Sequence, residues 1–203
     1  RRSSDLKELN VTLLYLSPIF KSSSNHRYDT GDYMQVDELL GSEEKFKELI
    51  DKAHEKGIEI MLDGVFNHTG ADSLYFNKFG TYDSIGAYQS EQSPYFNWYT
   101  FYKFPDEYHC WWGVTVCPTI KATPNGFRDL ITNPVNGVIK KWSSLGVRGW
   151  RLDVVDELAE DFVKNIRKAI KSVNKDNIVL GEVWEDASNK IAYGYRRHYF
   201  QGE

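Results

Sequence analysis

Short apolar runs of strand length alternate with helical segments along this chain, and this alternation limits the folds that the chain can adopt. The runs occupy residues 11–16, 58–62, 147–152 and 178–180. A helical pattern follows the first run, and others lie on both sides of the third. Alternation of this kind predicts a parallel sheet whose strands are joined by right-handed crossovers.

Capping residues mark the ends of the predicted helices. A short helical tail ends at Asn10, which we expect in a left-handed cap. Ser42 is the expected N-cap of the next helix, and Gly57 ends it. Asn133 is predicted to cap a third helix, with Pro134 in its first turn. The last helix has apolar residues at helical spacing, namely Phe162, Ile166 and Ile170.

Two architectures fit this order, a doubly wound open sheet and an eightfold barrel. Four strands cannot close a barrel, and the chain begins at Arg1 without a methionine. We therefore predict an α/β fold, the central strands and helices of a partial (β/α)8 TIM barrel from a longer protein. Residues 1–66 would supply two strands and a helix, and residues 131–203 two strands and two helices.

Residues 67–130 lack a sustained period and are expected to form an inserted irregular subdomain. Long irregular segments inside an alternating chain are usually insertions or functional loops. Many of the aromatic residues, which make up 15% of the chain, lie between Tyr75 and Trp112. They would either pack a core or stack on sugar rings, and composition alone favours packing.

The composition excludes several classes of partner. A net charge of −4 argues against nucleic acid and against an anionic membrane surface, since both attract clustered Lys and Arg. No apolar run approaches the length of a membrane span, and no signal-peptide pattern opens the chain. The two cysteines, read as free thiols, favour a reducing compartment, so we expect a cytoplasmic protein.

Carboxylates follow three of the predicted strands. Asp63, Asp153 and Glu182 each come at the end of an apolar run. A single such residue is more often a helix cap or a turn residue, but polar groups after every strand favour a site. Asp153 and Glu182 at the carboxyl edge of a barrel are the groups needed to cut a glycosidic bond. Arg151 lies on the same side of its strand as Asp153 and favours the charged form of that carboxyl.

Three ordered segments resemble the alpha-amylase family of glycoside hydrolases. They are Asp63-Gly-Val-Phe-Asn-His68, Gly149-Trp-Arg-Leu-Asp153 and Gly181-Glu-Val-Trp184. The segment from Trp111 to Lys121 and the run Val154-Val-Asp-Glu157 are similar to the neopullulanase, cyclomaltodextrinase and maltogenic amylase branch. The resemblance covers nearly the whole chain. It implies retaining hydrolysis of α-1,4 bonds, with α-1,6 bonds as an additional candidate linkage, in maltooligosaccharides, cyclodextrins, pullulan or starch.

The resemblance also implies roles for the acidic residues. Asp153 would be the nucleophile that forms a covalent glycosyl-enzyme, and Glu182 the acid that protonates the leaving oxygen and then activates water. Glu182 must then keep its proton to higher pH than Asp153. In a retaining pair the two carboxyl groups should lie roughly 5–5.5 Å apart.

Further residues match the sugar-binding positions of the family. Tyr28 would stack beneath the sugar at the cleavage point, with a core aromatic as the alternative. His68 would bind a hydroxymethyl group, and Asp63 would orient Arg151 and Tyr28. Trp184 and Glu157 would face the leaving group, and the alternative is that both only pack against their neighbours.

One family feature is a calcium ion, for which Asn67 is a ligand in some members. Calcium prefers several oxygen ligands. Lys121 stands where calcium-binding members carry an Asp, so we expect no cofactor here.

The fourth signature segment of the family, which contains a His-Asp pair, is not found after Glu185. By resemblance the pair lies beyond Glu203, so this chain alone is expected to be inactive. The expected partner is an α-glucan oligosaccharide, and a homodimer is compatible with the sequence. The alternative function is an inactive, amylase-like sugar-binding or partner subunit. A phosphate-binding barrel is disfavoured because neither G-x-G-x-x-G nor a P-loop is present.

Overall fold

The central sheet of the computed structural model, which describes residues 6–192 and 195–196, has four parallel strands. The strands are β1 (Leu13–Tyr15), β4 (Glu59–Gly64), β7 (Gly149–Leu152) and β8 (Ile178–Gly181). Each pairs with the next in chain order, in parallel register throughout. The predicted parallel sheet is confirmed. Because the strands are parallel, their carboxyl ends meet at one edge, where the candidate site lies.

Besides the helical turn at residues 6–8, the described part of the chain has four α-helices, and their ends follow from capping chemistry. They are α1 (Glu43–His54), α2 (Gly126–Thr132), α3 (Val138–Ser144) and α4 (Glu160–Val173). Ser42 caps α1 as predicted, since its hydroxyl accepts a hydrogen bond from the Lys45 amide at 3.3 Å. Asn10 adopts the expected left-handed conformation with φ 55° after the helical turn at residues 6–8. Apolar residues on one face of α4 are buried, among them Ile166 and Ile170.

The prediction for residues 133–134 was wrong. Asn133 follows the last residue of α2 instead of opening a helix, and α3 begins only at Val138, after Gly137. The Asn133 side chain accepts hydrogen bonds from the amides of Val135 and Asn136 at 2.9 and 3.2 Å. Asparagine closes local turns as readily as it caps helices, and here the turn is formed.

Residues between β4 and α2 form the insertion, which carries the short strands β5 (Phe101–Lys103) and β6 (Glu107–Tyr108). The predicted boundary at residue 130 falls inside α2. Most aromatic rings of this segment pack against one another. The Phe76 ring lies 4.7 Å from that of Tyr108 and 4.9 Å from that of Tyr99, centroid to centroid, and all three residues are buried. The aromatic enrichment is therefore mainly a small core.

A hairpin of β2 (Phe20–Ser22) and β3 (Thr30–Val36) covers the sheet between β1 and α1. Tyr33 fixes this hairpin. Its hydroxyl donates to the Val65 and His68 carbonyls at 2.6 and 3.1 Å, and its own carbonyl accepts the Trp142 indole N–H at 2.9 Å. The two remaining short strands are β9 (Ile191–Ala192) and β10 (Tyr195–Arg196). Within the described ranges, no helix is both long enough and apolar enough to cross a membrane.

Candidate active site

Charged side chains gather at the carboxyl ends of β4, β7 and β8. The parallel register places Asp63 beside Arg151, and both residues lie near the carboxyl end of the sheet. Asp153 and Glu182 follow directly on their strands. The three strand ends therefore bring together residues that are up to 119 positions apart in the chain, from Asp63 to Glu182.

Arg151 is the centre of this cluster. Its Nη1 lies 2.9 and 2.8 Å from the two Asp63 oxygens and 2.7 Å from Asp153 Oδ1, and its Nη2 lies 2.6 Å from Glu182 Oε1. The Arg151 side chain is only 12% exposed. One buried guanidinium thus serves three carboxylates, and it cannot neutralise all of them at once.

The pKa values of the pair follow from this sharing, and their order is the reverse of the one expected from the sequence. Burial and the neighbouring charge of Asp63 raise the pKa of Asp153 to about 7, although Arg151 acts in the opposite direction. Burial would also raise the pKa of Glu182. Hydrogen bonds from the Val154 amide and from Trp184, together with Arg151, outweigh burial and lower that pKa. Arg151 was expected to stabilise Asp153 alone, but it pairs with Glu182 as well.

Asp153 and Glu182 share one guanidinium as their partner. Asp153 binds Nη1 of Arg151 and Glu182 binds Nη2. After burial and Asp63, the charge of Glu182 also raises the pKa of Asp153. Carboxyl groups that interact in this way titrate as a coupled pair, and this pair holds a proton near neutral pH. The separation of roughly 5–5.5 Å that a retaining pair requires stays a prediction.

The backbone after Asp153 turns through a strained residue. Val154 has φ 40° and ψ 51°, the left-handed region that β-branched residues rarely occupy. This turn directs the Val154 amide to Glu182 Oε2 at 3.0 Å, and the next amide binds the Glu182 carbonyl at 3.1 Å. Strain of this kind persists only where the surroundings impose it, and here it joins the two strand ends.

Two tyrosines complete the floor of the cluster. The Tyr15 hydroxyl donates to Asp63 Oδ2 and lies 3.4 Å from the Tyr28 hydroxyl. The Arg151 guanidinium lies over both rings, 5.8 Å from the Tyr15 centroid and 6.0 Å from that of Tyr28. Asp63 therefore contacts Arg151 directly and fixes Tyr28 partly through Tyr15.

His68 is buried beside this floor. Its Nε2 lies 3.2 Å from the Tyr28 carbonyl, which can only accept, so Nε2 carries the proton. Burial lowers the pKa of His68 to about 4, and the ring is neutral at pH 7. It stacks on Trp111 with the ring centroids 5.6 Å apart. A neutral imidazole held in this way offers hydrogen bonds without adding charge.

Trp184 and Glu157 lie on the Glu182 side of the cluster. Trp184 is 64% exposed, contacts the rings of Trp111 and Trp112, and helps to lower the pKa of Glu182. Glu157 accepts a hydrogen bond from the Trp112 indole at 2.8 Å. The structure therefore places the sequence-predicted residues in one continuous site.

The family model for the alpha-amylase catalytic domain matches residues 4–200. The chain belongs to the alpha-amylase family. The amylopullulanase of Thermoanaerobacterium thermosulfurigenes is 44% identical over 202 residues, which cover 90% of this chain and 11% of that protein. Neopullulanase 2 of Thermoactinomyces vulgaris is 36% identical over 190 residues, which cover 90% of this chain and 31% of that protein. The chain thus spans about a tenth to a third of the length of these relatives.

Solved structures of the family agree with the fold. A debranching enzyme from Nostoc punctiforme matches with a TM-score of 0.78 and 34% identity, over 91% of this chain and 38% of that one. The cyclic alpha-maltosyl-(1→6)-maltose hydrolase from Arthrobacter globiformis has a TM-score of 0.80 and 30% identity, over 91% and 41%. The predicted partial barrel and the branch of neopullulanases, cyclomaltodextrinases and maltogenic amylases are confirmed.

Three residues of this alpha-amylase family site were missed by the sequence analysis. Tyr15 ends β1 in the same way that Asp63 ends β4, and its hydroxyl could have been included among the polar strand ends. Trp112 lies within a motif that was identified, but its spatial position depends on a left-handed turn with φ 49°. The strain at Val154 has no sequence signal, because valine normally disfavours that conformation.

Proposed function

We propose that the full-length protein containing this chain is a retaining glycoside hydrolase that cleaves α-1,4-glucosidic bonds in α-glucan oligosaccharides. One observation carries the proposal, namely that Asp153 and Glu182, at neighbouring strand ends, bind the same largely buried guanidinium of Arg151. Relatives carry the names amylopullulanase, neopullulanase and cyclomaltodextrinase, which supports α-glucans as the substrate class. Pullulan and the α-1,6 bond are the second substrate and linkage to test.

The first step needs an ionised nucleophile and a protonated acid. Asp153 attacks the anomeric carbon, while Glu182 gives its proton to the leaving oxygen. In the second step Glu182 takes a proton from water, which attacks the same carbon and releases Asp153. Each of the two displacements inverts the configuration at the anomeric carbon, so the two steps together retain it.

In this structure the proton of the pair resides on Asp153, whereas the first step needs it on Glu182. Asp153 has the higher pKa, because Arg151 and the Val154 amide stabilise the charged form of Glu182. A sugar that enters between the carboxyl groups would separate Glu182 from Arg151. Loss of that cation raises the pKa of Glu182, and the proton of the pair then moves to it.

The remaining side chains would hold the sugar. Tyr28 offers a ring face beside the pair, and the neutral His68 offers hydrogen bonds from a fixed position. Asp63 keeps Arg151 against Asp153. Trp184 and Glu157 would contact the leaving-group side, because both lie near Glu182.

We further propose that no calcium binds at Asn67. The Asn67 amide donates to Glu157 Oε2 at 3.3 Å, and its backbone carbonyl accepts the Ile120 amide at 2.9 Å. Lys121 follows Ile120 in the sequence, at the position where the resemblance places an Asp in calcium-binding members. Among the described residues, no group of three or more His, Cys, Asp or Glu side chains could hold a metal. This set lacks the oxygen ligands that calcium needs.

The test uses the full-length protein and maltotriose. Wild-type protein should release reducing sugar, and NMR of the first product should show the α-anomer. Asp153→Asn should lower turnover by at least about 10⁴-fold, because no covalent intermediate can form. The control Glu59→Gln, at the opposite end of β4, should keep turnover within about twofold.

Other outcomes would contradict the proposal. Wild-type turnover by Asp153→Asn would remove the nucleophile from this position, and an initial β-product would exclude retention. If wild-type protein bound α-glucans without cleaving any of them, the sugar-binding subunit would be the better interpretation.

A further inference from the structure

Trp112 is a large aromatic residue in an unusual place. The residue is 73% exposed, and its backbone has φ 49° and ψ 30°. Exposure of an indole to water is unfavourable, and so is the left-handed conformation for a residue with a Cβ. Fold stability explains neither feature, because a buried ring on a backbone with negative φ would cost less.

The Trp112 ring is nevertheless held in position. Its indole nitrogen donates to Glu157 Oε1 at 2.8 Å, across 45 residues of sequence. Its centroid lies 5.8 Å from that of Trp184 and 6.1 Å from that of Trp111. A ring anchored through its edge and neighbours, yet still largely exposed, presents a face to solvent.

This exposed face lies next to the proposed acid. Trp184, the ring neighbour of Trp112, lies two residues beyond Glu182 in the chain. Trp112 and Trp184 line a cavity of about 380 Å³ together with Val154, whose amide binds Glu182. Glu157 and Lys190 supply polar groups to the same cavity. An aromatic face with polar neighbours is the surface that a sugar ring fits.

We propose that Trp112 is a specificity-determining residue that stacks on an acceptor sugar and so favours transfer over hydrolysis. The inference rests on the proposed function. In the step concerned, the acceptor hydroxyl oxygen bonds to the anomeric carbon of the glycosyl-enzyme, and its proton passes to Glu182. The bond from that carbon to Asp153 breaks, and Asp153 leaves as a carboxylate. Water competes for the same intermediate, and an acceptor held by Trp112 has the advantage of proximity.

The experiment uses full-length protein with α-maltosyl fluoride as donor and glucose as acceptor. Fluoride release reports formation of the glycosyl-enzyme without a leaving sugar in the cavity. Chromatography then separates maltose, the hydrolysis product, from the trisaccharide formed by transfer. The variants are Trp112→Ala and Trp112→Phe. Phe79→Ala is the matched control, because Phe79 is a 64% exposed aromatic residue of the same insertion outside this cavity.

Trp112→Ala should lower the ratio of transfer to hydrolysis by roughly three- to tenfold, the usual range for one aromatic contact. Fluoride release by Phe79→Ala should stay within about twofold of the wild type, and the transfer ratio of each variant is taken per fluoride released. Trp112→Phe keeps a ring and should retain most of the transfer, and Phe79→Ala should match the wild type.

An unchanged ratio in Trp112→Ala would overturn the role of Trp112 while the proposed function stands. A Phe variant as impaired as the Ala variant would overturn stacking as the cause. Absence of fluoride release from wild-type protein would overturn the proposed function itself, and this inference with it.

Discussion

The two ends of the central sheet both carry ion pairs, but in very different surroundings. At the amino end, His54 and Glu59 form a 3.1 Å pair whose side chains are 38% and 44% exposed. At the carboxyl end, Arg151 is 12% exposed and Asp63 is fully buried. The exposed pair keeps its hydration and adds little to stability. The buried cluster loses hydration and still leaves carboxylates in excess of cations.

This difference shows which end serves chemistry. A sheet needs no buried charges for its stability, and apolar residues of similar volume often stabilise a fold more than a buried ion pair does. A cluster that holds a proton near pH 7 and strains a valine is explained by a reaction, whereas the amino end is explained by the fold alone. Matched substitutions at the two ends can break or sharpen this distinction.

The largest expected effect comes from Arg151, which lies in β7, compared with Arg148, which precedes that strand. Arg151→Leu leaves Asp63, Asp153 and Glu182 without their shared cation and should destabilise the domain by about 3–5 kcal/mol. Arg148→Leu, at the half-buried amino end, should change stability by less than about 1 kcal/mol. Urea unfolding of the full-length protein, followed through the transition of this domain, measures both. Equal losses would contradict the contrast.

A smaller effect is expected in the pH dependence of stability. The pKa of Asp153 is raised to about 7 in the folded state, against about 3.9 in an unfolded chain. Its stabilising contribution is therefore complete below about pH 4 and is lost as the pH rises through 7. Between pH 4 and 8 the wild type should lose about 2–4 kcal/mol more than Asp153→Asn.

The control for this pH prediction is Glu59→Gln, whose unfolding free energy should follow the wild-type pH profile in parallel. Urea midpoints collected at intervals of half a pH unit would suffice. Parallel profiles for wild type and Asp153→Asn would show that the carboxyl ionises normally in the fold.

The smallest effect separates two buried valines near the ends of β7. Val147 and Val154 are 2% and 4% exposed, but only Val154 has a positive φ. Glycine loses the side-chain burial at both positions and relieves left-handed strain at Val154 alone. Val154→Gly should therefore be less destabilising than Val147→Gly by about 1–2 kcal/mol. The thermal midpoints of the two variants test this, and equal midpoints would mean that Val154 is not strained.

Much of the barrel could be predicted because its determinants are local. Apolar runs, the Ser42 cap and the left-handed Asn10 depend on neighbouring residues only. The gathering of Asp63, Arg151, Asp153 and Glu182 followed from parallel strands that end at one edge, although their roles remain proposals.

The parts that failed depend on distant residues or on competing local options. Asn133 could cap a helix or close a turn, and both choices satisfy its side chain. The reversed pKa order arises because the Val154 amide and Arg151 reach Glu182 from the neighbouring strand, and no local pattern contains these contacts. Trp112 could not be placed because its own left-handed conformation redirects its ring. The adjacent Gly113 indicates a turn, but it does not show that the tryptophan before it also has a positive φ.

Tyr33 sets a condition for engineering this scaffold. Its hydroxyl and carbonyl connect the β2–β3 hairpin to the exit of β4 and to α3. Grafting a substrate loop from another enzyme would disturb all three connections unless Val65 and Trp142 keep their places. Designers who exchange specificity loops here should therefore transplant the tyrosine together with its two distant supports, as a single module.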